Sequence, residues 1–355
     1  MVKFCWLPYS ILGFIFVFFF TACEQEVEVP IRRVTPRLVV EGSITTDPPP
    51  YTVKLMYSGQ FTHTNAIPGE LYINDAEVIL SDNAGGSTSF TRTSNGFYES
   101  TDMDFSGETG KTYQLTIKLS DGNTFQSKPE TIFPVPAIDS LSVEVDPMYT
   151  ARTPTGFLVY ANTNDPATPG NYYRWTAESM LPRKATGVSC GFYCKIGEYC
   201  RQLRRSSAIN VLSDQSLNGK PILHHWVHRS PIYWFGRHYI EVKQLSLSRE
   251  SFIFWQKVDE QTARTGSIFD PLPAPLEGNI YNVHRPDELA LGYFGASAVS
   301  YKRIVIVPMY LKEHLLQGIT GIFIEEGDCS VLYPEAVYDL GAPPGWENEE
   351  RLVVY

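Results

Sequence analysis

Three histidines close together, His224, His225 and His228, have the spacing that most directly suggests metal chemistry. On a helix, His224 and His228 would lie one turn apart, which is how zinc sites pair two histidine ligands. The surrounding residues favour an extended strand instead, in which four residues span about 13 Å. Zinc needs each ligand nitrogen at about 2 Å, so one strand cannot supply both. The pattern predicts ordinary sheet histidines and no metal site.

A cluster of oxygen-bearing side chains, Asp102-Met-Asp-Phe-Ser-Gly107, copies the first six positions of a calcium loop. The twelfth position, where a bidentate glutamate belongs, is Tyr113, inside a regularly alternating segment. This departure favours an acidic turn in front of a strand over a calcium site.

Cys23 stands where its neighbours predict covalent attachment of lipid. Lys3 precedes a short apolar run over residues 11–20, Thr21-Ala22 come after that run, and an acidic run follows over 24–28. A basic start, an apolar core and small residues at a cleavage point are typical of an export signal. A cysteine directly after that point resembles a bacterial lipoprotein box. The resemblance implies diacylation of Cys23, cleavage after Ala22 and acylation of the new amino terminus.

The N-terminal region is therefore predicted to comprise a signal peptide over 1–22 and a tether over 23–36. A transmembrane anchor is one alternative, but the apolar run is shorter than the roughly 20 residues that span a bilayer, and Pro8 interrupts its front half. Plain secretion is another, and it leaves the position of Cys23 unexplained. Several acyl chains give stable attachment where one does not, so we expect a lipid-anchored protein.

The remaining cysteines point to disulfides. Once Cys5 leaves with the signal and Cys23 carries lipid, four remain: Cys190, Cys194, Cys200 and Cys329. An even number in an exported chain favours two bridges with three possible connectivities, and the alternatives are a zinc site or free thiols. A bridge from Cys329 would close a very long loop and constrain the unfolded chain most. We expect one long-range bridge involving Cys329 and one local bridge among the others.

An apolar run, Pro231-Ile-Tyr-Trp-Phe-Gly236, is the most suggestive recognition element in the sequence. At an expected hairpin tip, Tyr233, Trp234 and Phe235 could form an exposed patch for a partner or a ligand. The alternative is that two of these side chains turn inward to the core.

The composition limits the classes of function. The 355 residues carry a formal net charge of −10, which argues against nucleic-acid binding because an acidic surface repels phosphate backbones. The 21 Tyr, 20 Phe, 26 Gly and 25 Pro suit short strands joined by tight turns. Serine-hydrolase, phosphate-loop and dinucleotide fingerprints are absent from the contexts that they require. We predict a protein that is not an enzyme and that takes no cofactor.

The spacing of apolar residues predicts a mostly β fold in two domains. Polar and apolar residues alternate strictly over Thr112–Leu119, which is typical of a half-buried strand. About seven such strands over 37–134 predict a sandwich of the immunoglobulin or transthyretin type. Phe133-Pro-Val-Pro136 marks the boundary, and 135–355 is predicted to be a second sandwich-like domain. That domain carries one amphipathic helix over 249–263.

The predicted helix has recognisable sequence signals. Ser248 is a plausible N-cap, and Phe252, Trp255 and Val258 form an apolar stripe at helical spacing. We expect this helix to pack over a sheet.

Several segments occur in an order that resembles a known family. They are Leu38-Val-Val-Glu-Gly-Ser-Ile-Thr45, Phe133-Pro-Val-Pro-Ala-Ile-Asp-Ser-Leu141, Gly170-Asn-Tyr-Tyr-Arg-Trp175, Phe254-Trp255, Gly278-Asn-Ile280 and Leu291-Gly-Tyr-Phe-Gly-Ala-Ser297. After the acylated cysteine, they resemble Bacteroidota lipoproteins known as domain of unknown function 4249. The resemblance implies an outer-membrane lipoprotein, commonly encoded beside a TonB-dependent receptor, and it assigns no catalytic residues. The acidic run 24–28 also resembles signals that direct such lipoproteins to the outer leaflet.

From this resemblance we expect a surface-exposed accessory binding subunit of a TonB-dependent uptake system, whose partner is the β-barrel receptor. One alternative is a surface-anchored hydrolase whose site is assembled from distant residues. Another is a structural or adhesive β-sandwich.

Overall fold

The computed structural model describes residues 35–59, 71–146, 155–185, 198–233, 236–263, 274–308, 324–325, 327, 329–332 and 342–354. The predicted signal peptide, the lipidation residue Cys23, the cysteines Cys190 and Cys194, and the aromatics Trp234 and Phe235 lie outside these ranges. Residues 37–355 belong to one compact unit. The prediction of a mostly β protein is confirmed.

Three sheets contain the described strands. The strands are β1 Leu38–Thr45, β2 Thr52–Tyr57, β3 Glu77–Asp82, β4 Ser87–Ser94, β5 Phe97–Ser100, β6 Thr112–Lys118, β7 Thr124–Ser127, β8 Glu130–Thr131, β9 Ile138–Asp146, β10 Gly156–Asn164, β11 Tyr172–Ala185, β12 Glu198–Arg205, β13 Asn210–Ser213, β14 Pro221–Pro231, β15 His238–Leu247, β16 Glu277–Asn282, β17 Arg285–Ser297, β18 Val299–Pro308, β19 Ile324–Glu325 and β20 Arg351–Val354. Two α-helices are described, α1 over Arg249–Thr262 and α2 over Cys329–Leu332.

The first sheet closes on itself. Its order is β3-β4-β5-β2-β1-β17-β16-β7-β6, β6 pairs again with β3, and β8 adds to β6. Nine strands thus form a barrel-like ring. Most neighbours are antiparallel, but β1 and β17 run parallel, with Val39 opposite Leu291.

This closed sheet differs from the sandwich predicted for 37–134. The expected strands are present, but β16 and β17, from residues 277–297, complete the ring between β1 and β7. The sequence around 277–297 carries glycines and charges instead of a clear alternating pattern, so its return to the first sheet was not predicted. The chain leaves this sheet near Phe133–Pro136, as expected, and then comes back to it.

The strand predicted over Thr112–Leu119 is confirmed as β6. Tyr113, Leu115 and Ile117 are fully buried and belong to the core inside the closed sheet. Their alternation with solvent-side residues is the pattern expected of a strand with one buried face.

A second core lies between the other two sheets. A three-stranded sheet, β14-β10-β9, contributes Phe157 and Val159, and a seven-stranded sheet contributes Trp175 and Val242 to the same cluster. The larger sheet runs β12-β11-β15-β18-β20, with β13 and β19 also paired to β11.

Helix α1 confirms the helix predicted over 249–263. The backbone N–H of Ser251 donates to Oγ of the N-cap Ser248 at 3.1 Å. The most buried side chains are Ser251 and Phe254, so the buried face is rotated slightly from the predicted stripe. No helix among the described residues has both the length and the apolar character needed to cross a bilayer.

A disulfide joins Cys200 on β12 to Cys329 at the start of α2, with the Cα atoms 6.2 Å apart. The two residues are 129 positions apart, and both are fully buried. The long-range bridge expected for Cys329 is therefore present. The expected local bridge involves Cys190 and Cys194, which lie outside the described residues.

Candidate functional site

Helix α1 lies where the closed sheet and the seven-stranded sheet meet. It contacts β11, β13 and β15 of the larger open sheet and β17 of the closed sheet. Phe254 of the helix packs on Tyr293 of β17, with ring centres 4.9 Å apart. Cavities open on both sides of this aromatic pair, and we call the whole feature the α1 cleft. Junctions of this kind are where small-molecule sites commonly occur.

The alternation of β17 positions one wall of the cleft. Phe294 and Ala296 point into the core of the closed sheet. Tyr293, Gly295 and Ser297 therefore face outward, and all three line the cleft.

Two glycines allow the strands beneath the cleft to come close together. Gly292 has φ +84°, and a Cβ there would stand 2.1 Å from the carbonyl oxygen of Val40. A Cβ on Gly278 would stand 1.6 Å from the carbonyl oxygen of Gly292. Both positions require glycine, the first for backbone conformation as well as for space. They fix β1, β16 and β17 in contact under the cleft.

The Arg174 pocket is the cavity on one side of the aromatic pair, with a volume of about 350 Å³. Its lining is largely apolar: Leu245, Leu247, Phe254, Trp255, Val258 and Tyr293. The floor consists of small residues of β1 and β17. A Cβ built on Gly295 would meet nothing within 4 Å, so there is empty space in the pocket next to this residue.

The guanidinium of Arg174 supplies the positive charge in this pocket. Tyr173 and Trp175 point into the second core, so Arg174 between them points towards α1. Its Cζ lies 3.4 Å from the ring centre of Trp255, a cation–π contact. Desolvation lowers the pKa of Arg174 to about 10, so it stays charged at neutral pH. Its buried Nε has no hydrogen-bond partner.

The Glu130 pocket is the cavity on the other side of the aromatic pair, with a volume of about 490 Å³. Residues of β8, β16, β17 and the first turns of α1 line it, including Glu130, Asn279, Tyr293 and Ser248. It has more charged side chains than the Arg174 pocket, of both signs, among them Lys257.

Glu130 is the centre of a buried polar network, with 4% of its surface exposed. Its Oε1 accepts hydrogen bonds from the Tyr293 hydroxyl at 2.5 Å and from Asn279 Nδ2 at 3.0 Å. Its Oε2 makes no hydrogen bond of normal geometry, although Ser248 is close enough to favour the charged form. Burial outweighs these contacts and raises the pKa of Glu130. The same burial, with the nearby carboxyl, raises the pKa of Tyr293.

The sequence-predicted contact residue Tyr233 lies in a different cavity, of about 300 Å³, lined also by Trp226 and Arg204. The ring of Tyr233 is covered by the guanidinium of Arg183, 3.8 Å from the ring centre. Its hydroxyl accepts a 2.8 Å hydrogen bond from Arg204. The surroundings of Tyr233 are therefore cationic.

The expected hairpin at residues 231–236 is wrong. The strands on either side, β14 and β15, belong to different sheets, and Ile232 between them is fully buried. The chain crosses here from the three-stranded to the seven-stranded sheet, and burial of Ile232 anchors the crossing.

The three histidines lie on β14, as the prediction of a strand implied, but His224 departs from the extended conformation, with φ +53° at an irregularity in the pairing with β10. His224 stacks on Tyr160 with ring centres 3.7 Å apart. His228 is buried against the Ser179 hydroxyl, and burial, aided by Arg204, lowers its pKa to about 4. Within the described parts of the chain, no group of three or more His, Cys, Asp or Glu side chains is arranged to hold a metal ion.

The segment Asp102–Gly107 forms the turn region before β6, as the sequence suggested. The Asp102 carboxylate accepts a 2.9 Å hydrogen bond from the backbone N–H of Asp104, which is a turn contact. Tyr113, at the position where a calcium loop needs glutamate, is fully buried in β6.

The α1 cleft was not predicted as a site. Sequence reasoning singled out neither residue, because Arg174 is one polar residue among aromatic neighbours in a strand and Glu130 is an acid in a loop-like segment beside Pro129. A signal was present nonetheless. All six segments that carry the family resemblance contribute lining residues to the Arg174 or Glu130 pocket: those containing Gly42, Phe133, Arg174, Phe254, Asn279 and Tyr293.

Comparison with known families agrees with the resemblance. The family described as Domain of unknown function (DUF4249) matches residues 24–303, which is most of the chain. The chain belongs to this family. No curated protein matches it.

Proposed function

We propose that this protein is an outer-membrane lipoprotein, anchored through Cys23, that captures a small ligand in the α1 cleft. It would act as an accessory binding subunit of a TonB-dependent receptor. The Arg174 pocket is the observation that carries the binding role, because a mostly apolar cavity with a few polar groups is the usual form of a small-ligand site.

The mechanism is tethered capture. The acyl chains would hold the cleft close to the receptor, and a tethered binding module acts at a raised effective concentration. The acidic residues 24–28 support placement on the cell surface, through the resemblance noted above. We also propose that the part of 135–355 outside β16 and β17 forms a second sandwich, which is supported by the core shared between the three-stranded and seven-stranded sheets.

Affinity purification of the full chain from detergent-solubilised membranes of its own organism tests the receptor role. We expect a TonB-dependent β-barrel receptor to be recovered in a one-to-one ratio. A second lipoprotein of similar abundance, tagged and purified in the same way, is the control. Recovery of the chain without such a receptor, or with the same barrel as the control, would contradict the proposal.

A second candidate function, a surface hydrolase, is favoured by Glu130. A buried carboxyl with a raised pKa beside a tyrosine hydroxyl is an arrangement that general acids use. Turnover of chromogenic ester or glycoside substrates by the full chain, lost in Glu130→Gln, would support this function. Equal rates for the wild type and Glu130→Gln would mean that Glu130 does not catalyse the turnover.

A further inference from the structure

The Arg174 pocket contains a positive charge that has no counter-ion among the described residues. Arg174 makes no ion pair with a described carboxylate. Burial is the cause that lowers its pKa. The carboxylate among the lining residues, Glu41, is engaged with Lys54 at 3.5 Å. An uncompensated charge in an apolar pocket is costly, and a bound anion removes that cost.

The geometry of Arg174 also suits an anion. Stacking on Trp255 covers one face of the guanidinium and holds its plane in place. The N–H groups lie in that plane, where their fork matches the two oxygens of a carboxylate. A ligand that accepts hydrogen bonds from these groups must therefore approach the edge of the guanidinium.

The remainder of the pocket suits an apolar body. Leu245, Leu247 and Val258 provide aliphatic contacts, and Tyr293 and Phe254 provide aromatic ones. The open space above Gly295 accommodates part of a ring. A cavity of about 350 Å³ is at the small end of the range for ligand sites, so the body is one or two rings or a short chain.

We propose that the Arg174 pocket binds a small amphiphilic carboxylate, with its acid group on the edge of Arg174 and its apolar body over Gly295. This inference rests on the proposed binding function and specifies the ligand class for it.

Isothermal titration calorimetry on the full chain in detergent tests the proposal with three probes of one shape. These are 1-naphthoate, the neutral 1-naphthalenemethanol and the cationic 1-naphthylmethylamine. We expect saturable one-to-one binding of naphthoate, about tenfold or more weaker binding of the alcohol, and none of the amine, since a hydrogen-bonded charge pair contributes about a factor of ten to a hundred. Inorganic phosphate is titrated in parallel, and displacement of naphthoate by phosphate at equal concentration would overturn the choice of an amphiphile.

Three variants test whether the probes bind in the Arg174 pocket. Arg174→Met should weaken naphthoate about tenfold or more and leave the alcohol unchanged. Arg92→Met removes the same charge from an exposed position on β4 and should change neither affinity. Gly295→Val places its Cβ where nothing lies within 4 Å and its branches in the pocket, so it should abolish binding of both probes, which provides a test even if Arg174→Met folds poorly.

The proposal is overturned if naphthoate fails to bind, if it binds no better than the alcohol, or if Arg174→Met binds it as the wild type does. Each of these outcomes leaves co-purification of a receptor unaffected. Failure of the ligand class is thus distinguishable from failure of the accessory role.

Discussion

The hydroxyl of Tyr293 donates a 2.5 Å hydrogen bond to Oε1 of Glu130, a residue 163 positions earlier in the chain. The bond links β17 to β8 beneath the first turn of α1. Asn279 of β16 donates to the same oxygen and also to the carbonyl of Phe294, so three strands share the network. Its strength depends on the protonation state of one buried carboxyl.

The first prediction concerns the pH dependence of stability. Burial raises the pKa of Glu130, so its protonated form favours the folded state below the ordinary carboxyl pKa of 4.5. That contribution is lost as the pH rises through the raised pKa. The melting temperature of the wild type should therefore fall relative to Glu130→Gln as the pH increases from 4 to 9. Glu260→Gln, at an exposed position of α1, is the control, and parallel curves for wild type and Glu130→Gln would disprove the effect.

The second prediction compares two glycines on the same strand. Gly292→Ala places a Cβ 2.1 Å from the carbonyl oxygen of Val40 at φ +84°, so it should destabilise the fold by at least about 2 kcal/mol. Gly295→Ala meets nothing within 4 Å and should change the free energy of unfolding by less than about 0.5 kcal/mol. Urea denaturation of both variants measures the difference. Equal effects would mean that β1 does not approach β17 as described.

The third prediction concerns the disulfide. Cys200 and Cys329 close a loop of 129 positions, so Cys329→Ala should cost about 4–5 kcal/mol in the chain-entropy model. Cys200→Ala should cost the same, and the double variant should cost no more than either. Thermal denaturation without reductant gives the three values. Additive losses would show that the two cysteines stabilise the fold through separate partners.

The fourth prediction concerns the anchor. Cys23→Ser should abolish incorporation of radiolabelled palmitate, because the acylated sulfur is removed, and leave a precursor or a soluble chain. Cys5→Ser, upstream of the expected cleavage point, should incorporate label as the wild type does. Equal labelling of wild type and Cys23→Ser would refute lipidation at this position.

Local sequence patterns predicted those strands and helices that can be recognised from their own residues alone. The alternation over 112–119 identified β6, and Ser248 with the apolar residues that follow it identified α1. Strand β17 could not be found in this way, because Gly292 and Gly295 interrupt its pattern and its parallel partner lies in β1. Partner choice between distant strands depends on the whole sheet, which a local window does not contain.

The same limit applies to the site. From the sequence, Arg174 is expected to be a polar residue on the solvent side of a strand. In the structure it packs against Trp255, which lies on a helix 81 positions later. Glu130 reads as an acid in a loop before Phe133, whereas Asn279 and Tyr293 enclose it. Residue type identified neither position, since the burial of each is created by segments distant in sequence.

The parallel pairing of β1 with β17 determines when the ring can form during synthesis. Arg37, just before β1, hydrogen-bonds to the carbonyl of Leu289, 252 positions further along. At roughly 5–20 residues per second, β1 waits for tens of seconds before its partner leaves the ribosome. During that time the edge of β1 that pairs with β17 has no partner, and the ring cannot close. A product cut short before Ser297 keeps an unpaired β1 edge, the type of exposed strand that marks incomplete chains for aggregation or degradation.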